Sequence, residues 1–416
     1  MHSPEDRLAE AQGLAEAIDL DVRRALRVPI PAPRPSTLFG SGKVEEIKSL
    51  VQEDEAELAI IDHVVSPVQQ RNLEKAWDCK VLDRTGLILE IFGRRAQTRE
   101  GSLQVELAHL TYQRSRLVRS WTHLERQRGG YGFLGGPGET QIETDRRLIQ
   151  ERIDKIRTEL DLVVKMRKLH RAGRRRVPYP IVAIVGYTNA GKSTLFNRIT
   201  GAGVRAEDQV FATLDPTMRE VRLGSGRRII LSDTVGFISD LPTMLVAAFR
   251  ATLEEVVEAD LVLHVRDISH AERDAQRVDV EGVLAELGID AAAPDAKVLE
   301  VWNKIDRLDA AEREEIENAA RRAEPAPALV SAMMGEGIDA LLAAIDQRLA
   351  PGDEIVTLEI PSQAGALINW LHANTEVLER RATKRGALVF RLRIEPAKRG
   401  RLVGQMRRAG LTLPAA

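Results

Sequence analysis

The pattern of apolar and polar positions predicts that helices and strands alternate over the first hundred residues. The stretches GKVEEIKSLVQE and SPVQQRNLEKAW have helical periodicity, and Ser66 followed by Pro67 is typical of a helix start. Two short apolar runs, AELAIID and CKVLD, have the length and composition of buried strands. Because strands and helices alternate along the chain, we expect residues 1–100 to form a small parallel α/β subdomain.

Two stretches then carry apolar residues at an alternating spacing of four and three. The first contains Leu103, Leu107, Leu110, Leu117, Trp121 and Leu124, and the second contains Ile149, Ile153, Ile156, Leu160 and Val163. Matching seams predict an antiparallel helical hairpin over residues 101–176, and Thr140 with Glu143 predicts a capping box where the second helix starts. Residues 129–138 would be the tip loop, and its six glycines, proline and two aromatic rings exceed what a turn requires.

The tip loop contains Gly130, Gly132 and Gly135 at the spacing of a dinucleotide-binding fingerprint. A working fingerprint follows a buried strand, because its glycines bring a phosphate onto the N-terminus of the next helix. Here the preceding residues are LVRSWTHLERQR, which no buried strand would carry. We therefore interpret the loop as a tip that probes RNA, with Tyr131 and Phe133 available for base stacking. The alternative is a hairpin folded against the body with a merely flexible loop.

A phosphate loop is predicted near residue 180, where a basic polar stretch gives way to an apolar strand. YPIVAIVGYTNAGKSTLFNR combines an apolar strand, the pattern Gly186-x-x-x-x-Gly191-Lys192-Ser193 and a helix. Backbone N–H groups can converge on a β-phosphate, Lys192 can reach the β and γ oxygens, and the Ser193 hydroxyl can bind Mg²⁺. The predicted nucleotide contacts are Gly186, Tyr187, Thr188, Asn189, Ala190, Gly191, Lys192, Ser193 and Thr194. The GSGK of residues 40–43 lacks the first glycine and the final Ser/Thr, so we reject it as a phosphate loop.

Two further segments complete the predicted phosphate site. LSDTVG ends a strand, so Asp233 can hold Mg²⁺ through water and the Gly236 N–H can meet the γ-phosphate. Upstream, VFATLDPT is a polar connection in which we choose Thr213 over Thr217 to complete Mg²⁺ coordination. The predicted contacts are Phe211, Ala212, Thr213, Leu214, Asp215, Asp233, Thr234, Val235 and Gly236. The predicted metal ligands are Ser193 and Thr213, and the predicted catalytic residues are Lys192, Thr213 and Gly236.

The last two segments indicate which base is bound. VLEVWNKID ends a strand at Asn303, Lys304, Ile305 and Asp306. Asp306 can accept hydrogen bonds from the ring N1–H and exocyclic amine of guanine, which adenine lacks, and an unpaired carboxylate would be costly. LVSAM supplies the contacts near the guanine O6, which are Ser331, Ala332 and Met333. We therefore expect the site to take GTP and GDP.

Phe237 stands where many GTPases carry a glutamine that orients the attacking water. A phenyl ring cannot form that hydrogen bond, so we expect slow intrinsic hydrolysis. Bound GTP should then act as a timer that a partner releases.

Together these patterns predict an α/β protein. A P-loop GTPase domain over residues 177–350 follows the parallel α/β subdomain and the antiparallel hairpin. Residues 351–416 have the pattern of strand, helix, strand and basic helix, which predicts a small α+β C-terminal domain.

Charge is unevenly distributed along the chain. Residues 101–176 carry a net charge of +8 and residues 350–416 carry +5, although the whole chain is at −2. A basic excess of this size suits a phosphate backbone, and the alternative is a solvated protein surface.

A single cysteine, Cys79, excludes an internal disulfide, and we interpret His264 as a structural histidine. No apolar run approaches the roughly 20 residues of a membrane span, and no secretory leader is evident, so we expect a cytoplasmic monomer.

Five stretches resemble the HflX family of translation-factor-class GTPases, namely GGPGETQIETDRRLI, SPVQQRNLE, GYTNAGKSTLFNR, FATLDPT and DTVGFI. The resemblance covers about residues 20–350. It implies a factor that binds the large ribosomal subunit through ribosomal RNA and splits stalled or idle ribosomes, with the tip loop toward the peptidyl transferase region. Familiar members often carry an arginine before Gly-Pro-Gly-Glu, where this chain has Gly135 and Gly136, so that arginine's contact is not implied here.

Two other functions remain open from the sequence. One is an RNA-remodelling nucleotidase whose N-terminal domain uses ATP, which ATP-dependent activity surviving Lys192→Ala would favour. The other is a GTP-gated adaptor for a membrane or division protein, against which salt-sensitive binding to large ribosomal subunits would argue.

Overall fold

A computed structural model describes residues 2–127, 137–174, 179–201, 211, 217–240, 250–291, 293, 297–349, 354–383, 387–394 and 396–411. The predicted tip contacts therefore lie outside the described residues, and so do Ala212, Thr213, Leu214 and Asp215. In the described part of the chain, no helix has the length and apolar character that crossing a membrane requires.

The N-terminal region alternates helices and strands, as the apolar pattern predicts. Its elements are α1 (Pro4–Glu16), α2 (Ser41–Glu53), β1 (Leu58–Ile61), α3 (Pro67–Trp77), β2 (Lys80–Asp83) and α4 (Arg84–Arg95). Strands β1 and β2 pair in parallel. Ser66 caps α3 in a capping box, with its hydroxyl accepting from the Gln69 N–H and the Gln69 side chain accepting from the Ser66 N–H.

Helices α5 (Arg99–Gln127) and α6 (Pro137–Arg174) form the predicted antiparallel hairpin. Ile153 and Ile156 of the second seam are fully buried. An Arg152–Glu106 ion pair at 2.8 Å and an Arg99–Glu159 pair at 3.5 Å join the two helices across the seam. The capping box predicted at Thr140 is wrong, because α6 already begins at Pro137. A proline suits a first helical turn, where its missing N–H would have no partner within the helix.

The central sheet has six strands in the order β4-β5-β3-β6-β7-β8. They are β3 (Ile181–Gly186), β4 (Thr217–Arg222), β5 (Arg228–Asp233), β6 (Leu261–Asp267), β7 (Val298–Asn303) and β8 (Ala328–Leu329). All neighbouring pairs are parallel except β4–β5. The helices that accompany the sheet are α7 (Lys192–Thr200), α8 (Arg250–Glu258), α9 (Arg273–Glu286), α10 (Ala310–Arg322) and α11 (Ile338–Arg348). Because the parallel strands share one carboxyl edge, the loops that follow them meet there.

The C-terminal region is α+β, with one strand more than its sequence pattern predicts. It contains β9 (Glu354–Pro361), α12 (Gly365–Asn374), β10 (Glu376–Ala382), β11 (Ala387–Ile394) and α13 (Pro396–Arg408). The strands form an antiparallel sheet in the order β10-β11-β9. Its apolar cluster, which includes Phe390, Leu371 and Leu402, is separate from the clusters of the rest of the chain.

One apolar cluster joins the N-terminal region, the base of the hairpin and one face of the central sheet. It contains Leu14 of α1, Phe92 of α4, Val105 and Ala108 of α5, and Val185, Tyr187, Phe211, Phe237 and Ile238 of the central domain. We call this group the shared cluster. The cluster includes Tyr187 and Phe237 beside the predicted phosphate loop, so the N-terminal region shares a core with one side of the predicted nucleotide site.

Candidate functional site

The predicted phosphate loop lies between β3 and α7. Gly191 has φ +90°, and a Cβ placed on it would lie 2.3 Å from Asn303 Nδ2. Any side chain would therefore displace Asn303, whose Nδ2 donates to the Ala190 carbonyl at 2.8 Å. Gly191 is required both for a left-handed backbone and for the close approach of Asn303, which belongs to the predicted base-reading segment.

Lys192 begins α7 and is nearly buried. Its Nζ donates to the Tyr187 carbonyl at 2.7 Å, so the side chain folds back over the loop. Burial lowers the pKa of Lys192 to about 8; nearby Asp233 opposes this shift and the positive charge of Lys304 adds to it. This ammonium thus lies in surroundings where a polyphosphate would favour its charged form.

Ser193, in the first turn of α7, lies beside Asp233, the last residue of β5. The Ser193 hydroxyl donates to Asp233 Oδ2 at 2.8 Å, and Asp233 is fully buried. A hydroxyl and a carboxylate in contact are the oxygen donors that Mg²⁺ prefers. The predicted alternative to Thr213, Thr217, begins β4 and pairs in register with Asp233.

Gly236 lies against the phosphate loop with no room for a side chain. A Cβ on it would lie 2.9 Å from both Lys192 Nζ and Thr188 Cγ2. The next residue, Phe237, is bonded to the loop on both sides: its N–H donates to the Gly186 carbonyl at 3.1 Å, and its carbonyl accepts from the Thr188 N–H at 2.7 Å. The Phe237 ring is 1% exposed and lies in the shared cluster. The Phe237 side chain is therefore part of the core.

The predicted base-reading residues meet at the carboxyl edge of β7 and β8. Asn303 Oδ1 accepts from the Ala332 N–H at 3.0 Å, which joins this segment to the LVSAM segment as well as to the phosphate loop. Asp306 is exposed at the start of a short 3-10 helix, Ile305–Arg307. Ser331 is buried, and its hydroxyl accepts from the Met334 N–H at 3.0 Å. The arrangement leaves the Asp306 carboxylate available to a base.

Several predicted contact residues direct their side chains away from the phosphate loop, so any nucleotide contact would come from their backbone. Ile305 and Val235 are buried apolar residues, and the Thr234 hydroxyl donates to the Ile184 carbonyl at 2.6 Å. Phe211 packs edge to face on Phe92, with the ring centroids 4.6 Å apart. The side chains of Asn189 and Met333 are exposed, whereas those of Thr188 and Thr194 are half-buried.

A buried polar cluster, which the sequence did not predict, links the N-terminal region to the phosphate loop. Its members are Glu10 of α1, Arg84 of α4, Tyr187 of the phosphate loop and Ser239, two residues after Phe237. The Tyr187 hydroxyl donates to Glu10 and accepts from the Ser239 N–H at 2.8 Å. Arg84 donates to Glu10 and to the Ser239 carbonyl at 2.8 Å. We call these four residues the Glu10 cluster.

Charge balance stabilises the Glu10 cluster. Burial alone would raise the pKa of Glu10, but the Arg84 guanidinium and the Tyr187 and Ser239 hydroxyls hold it below its usual range. Burial and the negative charge of Glu10 raise the pKa of Tyr187. Because Glu10 lies 177 residues before Tyr187, local spacing carries no signal of this contact.

His264 is buried beside Glu281 and Glu300. Burial lowers the pKa of His264 to about 4, which keeps the ring neutral. Both carboxylates form ion pairs with guanidinium groups: Arg266 lies 2.8 Å from Glu300, and Arg277 lies 3.3 Å from Glu281. These ion pairs favour the structural role that the sequence indicates for His264.

Four family models match consecutive parts of the chain. They are described as GTP-binding GTPase N-terminal (residues 5–93), GTP-binding GTPase Middle Region (95–174), 50S ribosome-binding GTPase (181–304) and HflX C-terminal domain (315–411).

Two HflX relatives agree with these matches. The GTPase HflX of Magnetococcus marinus is 50% identical over 97% of this chain and 91% of its own length. That of Escherichia coli is 46% identical over 86% of this chain and 83% of its own length. A GTP-binding protein from Sulfolobus solfataricus, crystallised with GDP, is 24% identical over 83% of this chain and 96% of its own, with a TM-score of 0.44. Family models that together span most of the chain, and close relatives of nearly equal length, show that the chain belongs to the HflX family of GTPases.

Proposed function

We propose that this GTPase is a cytoplasmic factor that binds the large ribosomal subunit and splits stalled or idle ribosomes, with GTP hydrolysis as its timer. The observation that carries the proposal is the shared cluster, which contains Val105 and Ala108 of the hairpin as well as Tyr187 and Phe237 beside the phosphate loop. This continuous core supports a coupling between a contact made by the hairpin and the nucleotide site, which the rate comparison below tests. The description of the family model over residues 181–304, 50S ribosome-binding GTPase, supports the same partner.

The hairpin has the charge that an RNA partner requires. Residues 101–176 carry a net charge of +8, and α6 exposes Arg147 and Arg157, whose side chains are 72% and 57% exposed. Exposed guanidinium groups on a long helix can follow a phosphate backbone, and releasing counterions from the RNA favours binding. Ribosomal RNA is the partner that this surface fits best.

For nucleotide binding we propose the following roles. Lys192 binds the β and γ oxygens, the Gly236 N–H faces the γ-phosphate, and Asp306 reads guanine. Ser193 and Asp233 would hold Mg²⁺ together with Thr213, and the ion, when bound, neutralises phosphate charge. The donor chemistry of Ser193 and Asp233 supports this role, since their oxygens lie 2.8 Å apart.

The proposed role of GTP hydrolysis as a timer is argued from Phe237. Its ring is buried in the shared cluster and its backbone is bonded to the phosphate loop, so this residue cannot orient the attacking water. We propose that intrinsic hydrolysis is slow and that large subunits accelerate it. Equal single-turnover rates with and without large subunits would contradict this role.

Ribosome splitting is tested by replacing the tip, residues 130–137, with a short Gly-Ser turn. The helical seams remain, so the variant should fold and bind GTP normally yet fail to separate subunits on sucrose gradients. Lost GTP binding would make the tip part of the nucleotide site, and normal splitting would reduce the tip to a passive connection.

Binding by the hairpin is tested by charge reversal at matched exposed sites. Arg147→Glu with Arg157→Glu should weaken cosedimentation with large subunits and reduce its dependence on salt, by about one unit of the log–log slope for each lost phosphate contact. The control, Arg321→Glu with Arg322→Glu, makes the same charge change on exposed residues of α10. Equal weakening in both variants would indicate a general charge effect and contradict the proposed interface.

A further inference from the structure

Asp267 ends strand β6 beside the base-reading segment. In the parallel register it pairs with Asn303, and the next residue, Ile268, donates its N–H to the Asn303 carbonyl at 3.0 Å. Asp267 Oδ2 lies 2.7 Å from Lys304 Nζ, and these two side chains are only 10% and 12% exposed. The adjacent strand thus supplies a buried carboxylate to the lysine of the Asn-Lys-Ile-Asp segment.

The carboxylate of Asp267 is anchored on its other side. Its Oδ1 accepts from the Ser269 N–H at 3.1 Å and from the Ser269 hydroxyl at 2.6 Å. Both oxygens are therefore engaged, and turning the group away from Lys304 would break these hydrogen bonds. A charge-assisted contact held in this way is stronger than one between two freely moving side chains.

Lys304 is held in a conformation that needs support. Its φ of +66° is left-handed, which is uncommon for a residue other than glycine. Its Cε lies 4.0 Å from the position of a Cβ on Gly191, so the lysine stem passes over the end of the phosphate loop. Lys304 also lies near a second buried cation, Lys192, and repels its charge. Asp267 supplies Lys304 with a partner of opposite charge at 2.7 Å, which offsets this repulsion.

We propose that Asp267 is a positioning residue for guanine nucleotides, which holds the Lys304 ammonium so that the lysine stem stays stretched over Gly191 as a wall of the nucleotide pocket. The inference rests on the proposed role of residues 303–306 in reading the base. Asp267 acts through Lys304 and itself contacts no nucleotide. Loss of Asp267 should therefore weaken the binding of GDP and of GTP equally, because the lysine stem lies beside the part of the nucleotide that GDP and GTP share.

The test is calorimetric titration of GDP and a non-hydrolysable GTP analogue into Asp267→Asn, which keeps the shape of the side chain and removes its charge. We expect affinity for both nucleotides to fall about tenfold, the scale of one lost charge-assisted hydrogen bond. KM for GTP should rise by a similar factor, while kcat stays within about twofold, because the contact serves ground state and transition state alike. Asp267→Glu, which keeps the charge, should recover most of the loss and serves as the second variant if Asp267→Asn does not fold.

A double-mutant cycle separates positioning from a merely structural role. Lys304→Met should bind more weakly than Asp267→Asn, and the double variant should bind no worse than Lys304→Met, because Asp267 then has no ammonium to hold. Asp260→Asn is the matched control: Asp260 immediately precedes the same strand, and its carboxylate accepts from the Ile181 N–H at 2.7 Å. Its nucleotide affinity should equal that of the wild type.

Additive losses in the double variant, or wild-type affinity in Asp267→Asn, would overturn the inference. Failure of the proposed base-reading role is recognised separately, by including Asp306→Asn in the same titrations. If Asp306→Asn kept its preference for guanine, the segment would not read the base. If Asp306→Asn lost that preference while Asp267→Asn bound normally, only the role of Asp267 would be wrong.

Discussion

Nucleotide affinity should fall as the pH rises from 7 to 9, because the proposed role of Lys192 in binding phosphate requires its charged form. Burial lowers the pKa of Lys192 to about 8 in the free protein. At pH 7 about nine molecules in ten have the charged lysine, whereas at pH 9 only about one in ten has it. A bound polyphosphate restores the charge, so each molecule with a neutral lysine must take up a proton on binding. Over this interval we expect the affinity for GDP to fall about tenfold.

The assay is titration with a fluorescent GDP analogue at half-unit pH steps at constant ionic strength. Lys192→Arg is the matched control, because a guanidinium stays charged throughout the interval although its shape weakens binding. Any titration of the nucleotide itself would affect both proteins alike. The ratio of the two dissociation constants therefore isolates the lysine.

The reasoning would be refuted if the wild-type and Lys192→Arg proteins showed parallel pH profiles. A wild-type affinity that is constant between pH 7 and pH 9 would lead to the same conclusion. In either case the lysine would keep its charge in the free protein, and the contacts that bury it would have to be weaker than the fold indicates.

Three further outcomes are expected. Asp306→Asn should weaken GTP and favour xanthosine triphosphate in a competition assay, and an unchanged preference would contradict the base-reading role. Phe237→Gln should not accelerate single-turnover GTP hydrolysis. It should lower the free energy of unfolding in urea by about 3 kcal/mol, because it places an amide in the shared cluster. A tenfold faster rate would show that the side chain reaches the nucleotide. Tyr187→Phe should lower the free energy of unfolding by about 1 to 3 kcal/mol, since Glu10 and the Ser239 N–H each lose a buried partner, whereas wild-type stability would place the Glu10 cluster in contact with water.

The sequence predicted the fold and the order of the nucleotide loops because both depend on local patterns. The strand, loop and helix around Gly191 follow one another within about twenty residues, and the parallel sheet brings the later segments to the same edge. The structure brings Ser193 to Asp233 and Asn303 to the phosphate loop, while the roles of these residues in nucleotide binding stay predictions. Spacing along the chain was enough for these features.

Other features depended on contacts between distant residues. Phe237 was expected to be unable to position water, but only the fold shows that its ring packs in a core beside residues of the N-terminal helices. The strand Glu376–Ala382 was missed because its sequence, EVLERRA, is largely charged and lacks an apolar run. The early start of α6 was missed because a capping box at Thr140 is a local signal that Pro137 overrides.

The shared cluster also has a consequence for cooperative unfolding. A fragment that begins at residue 177 would retain every predicted nucleotide loop but would lose the shared-cluster residues of α1, α4 and α5, among them Phe92, which packs on Phe211. Such a fragment should aggregate or melt at a lower temperature, because nothing replaces the lost apolar contacts. The C-terminal region, whose apolar cluster is its own, should melt as a separate calorimetric transition. We therefore expect the unit of cooperative folding to cross the boundary between the N-terminal region and the GTPase domain, so that an isolated GTPase domain would be a poor starting point for engineering.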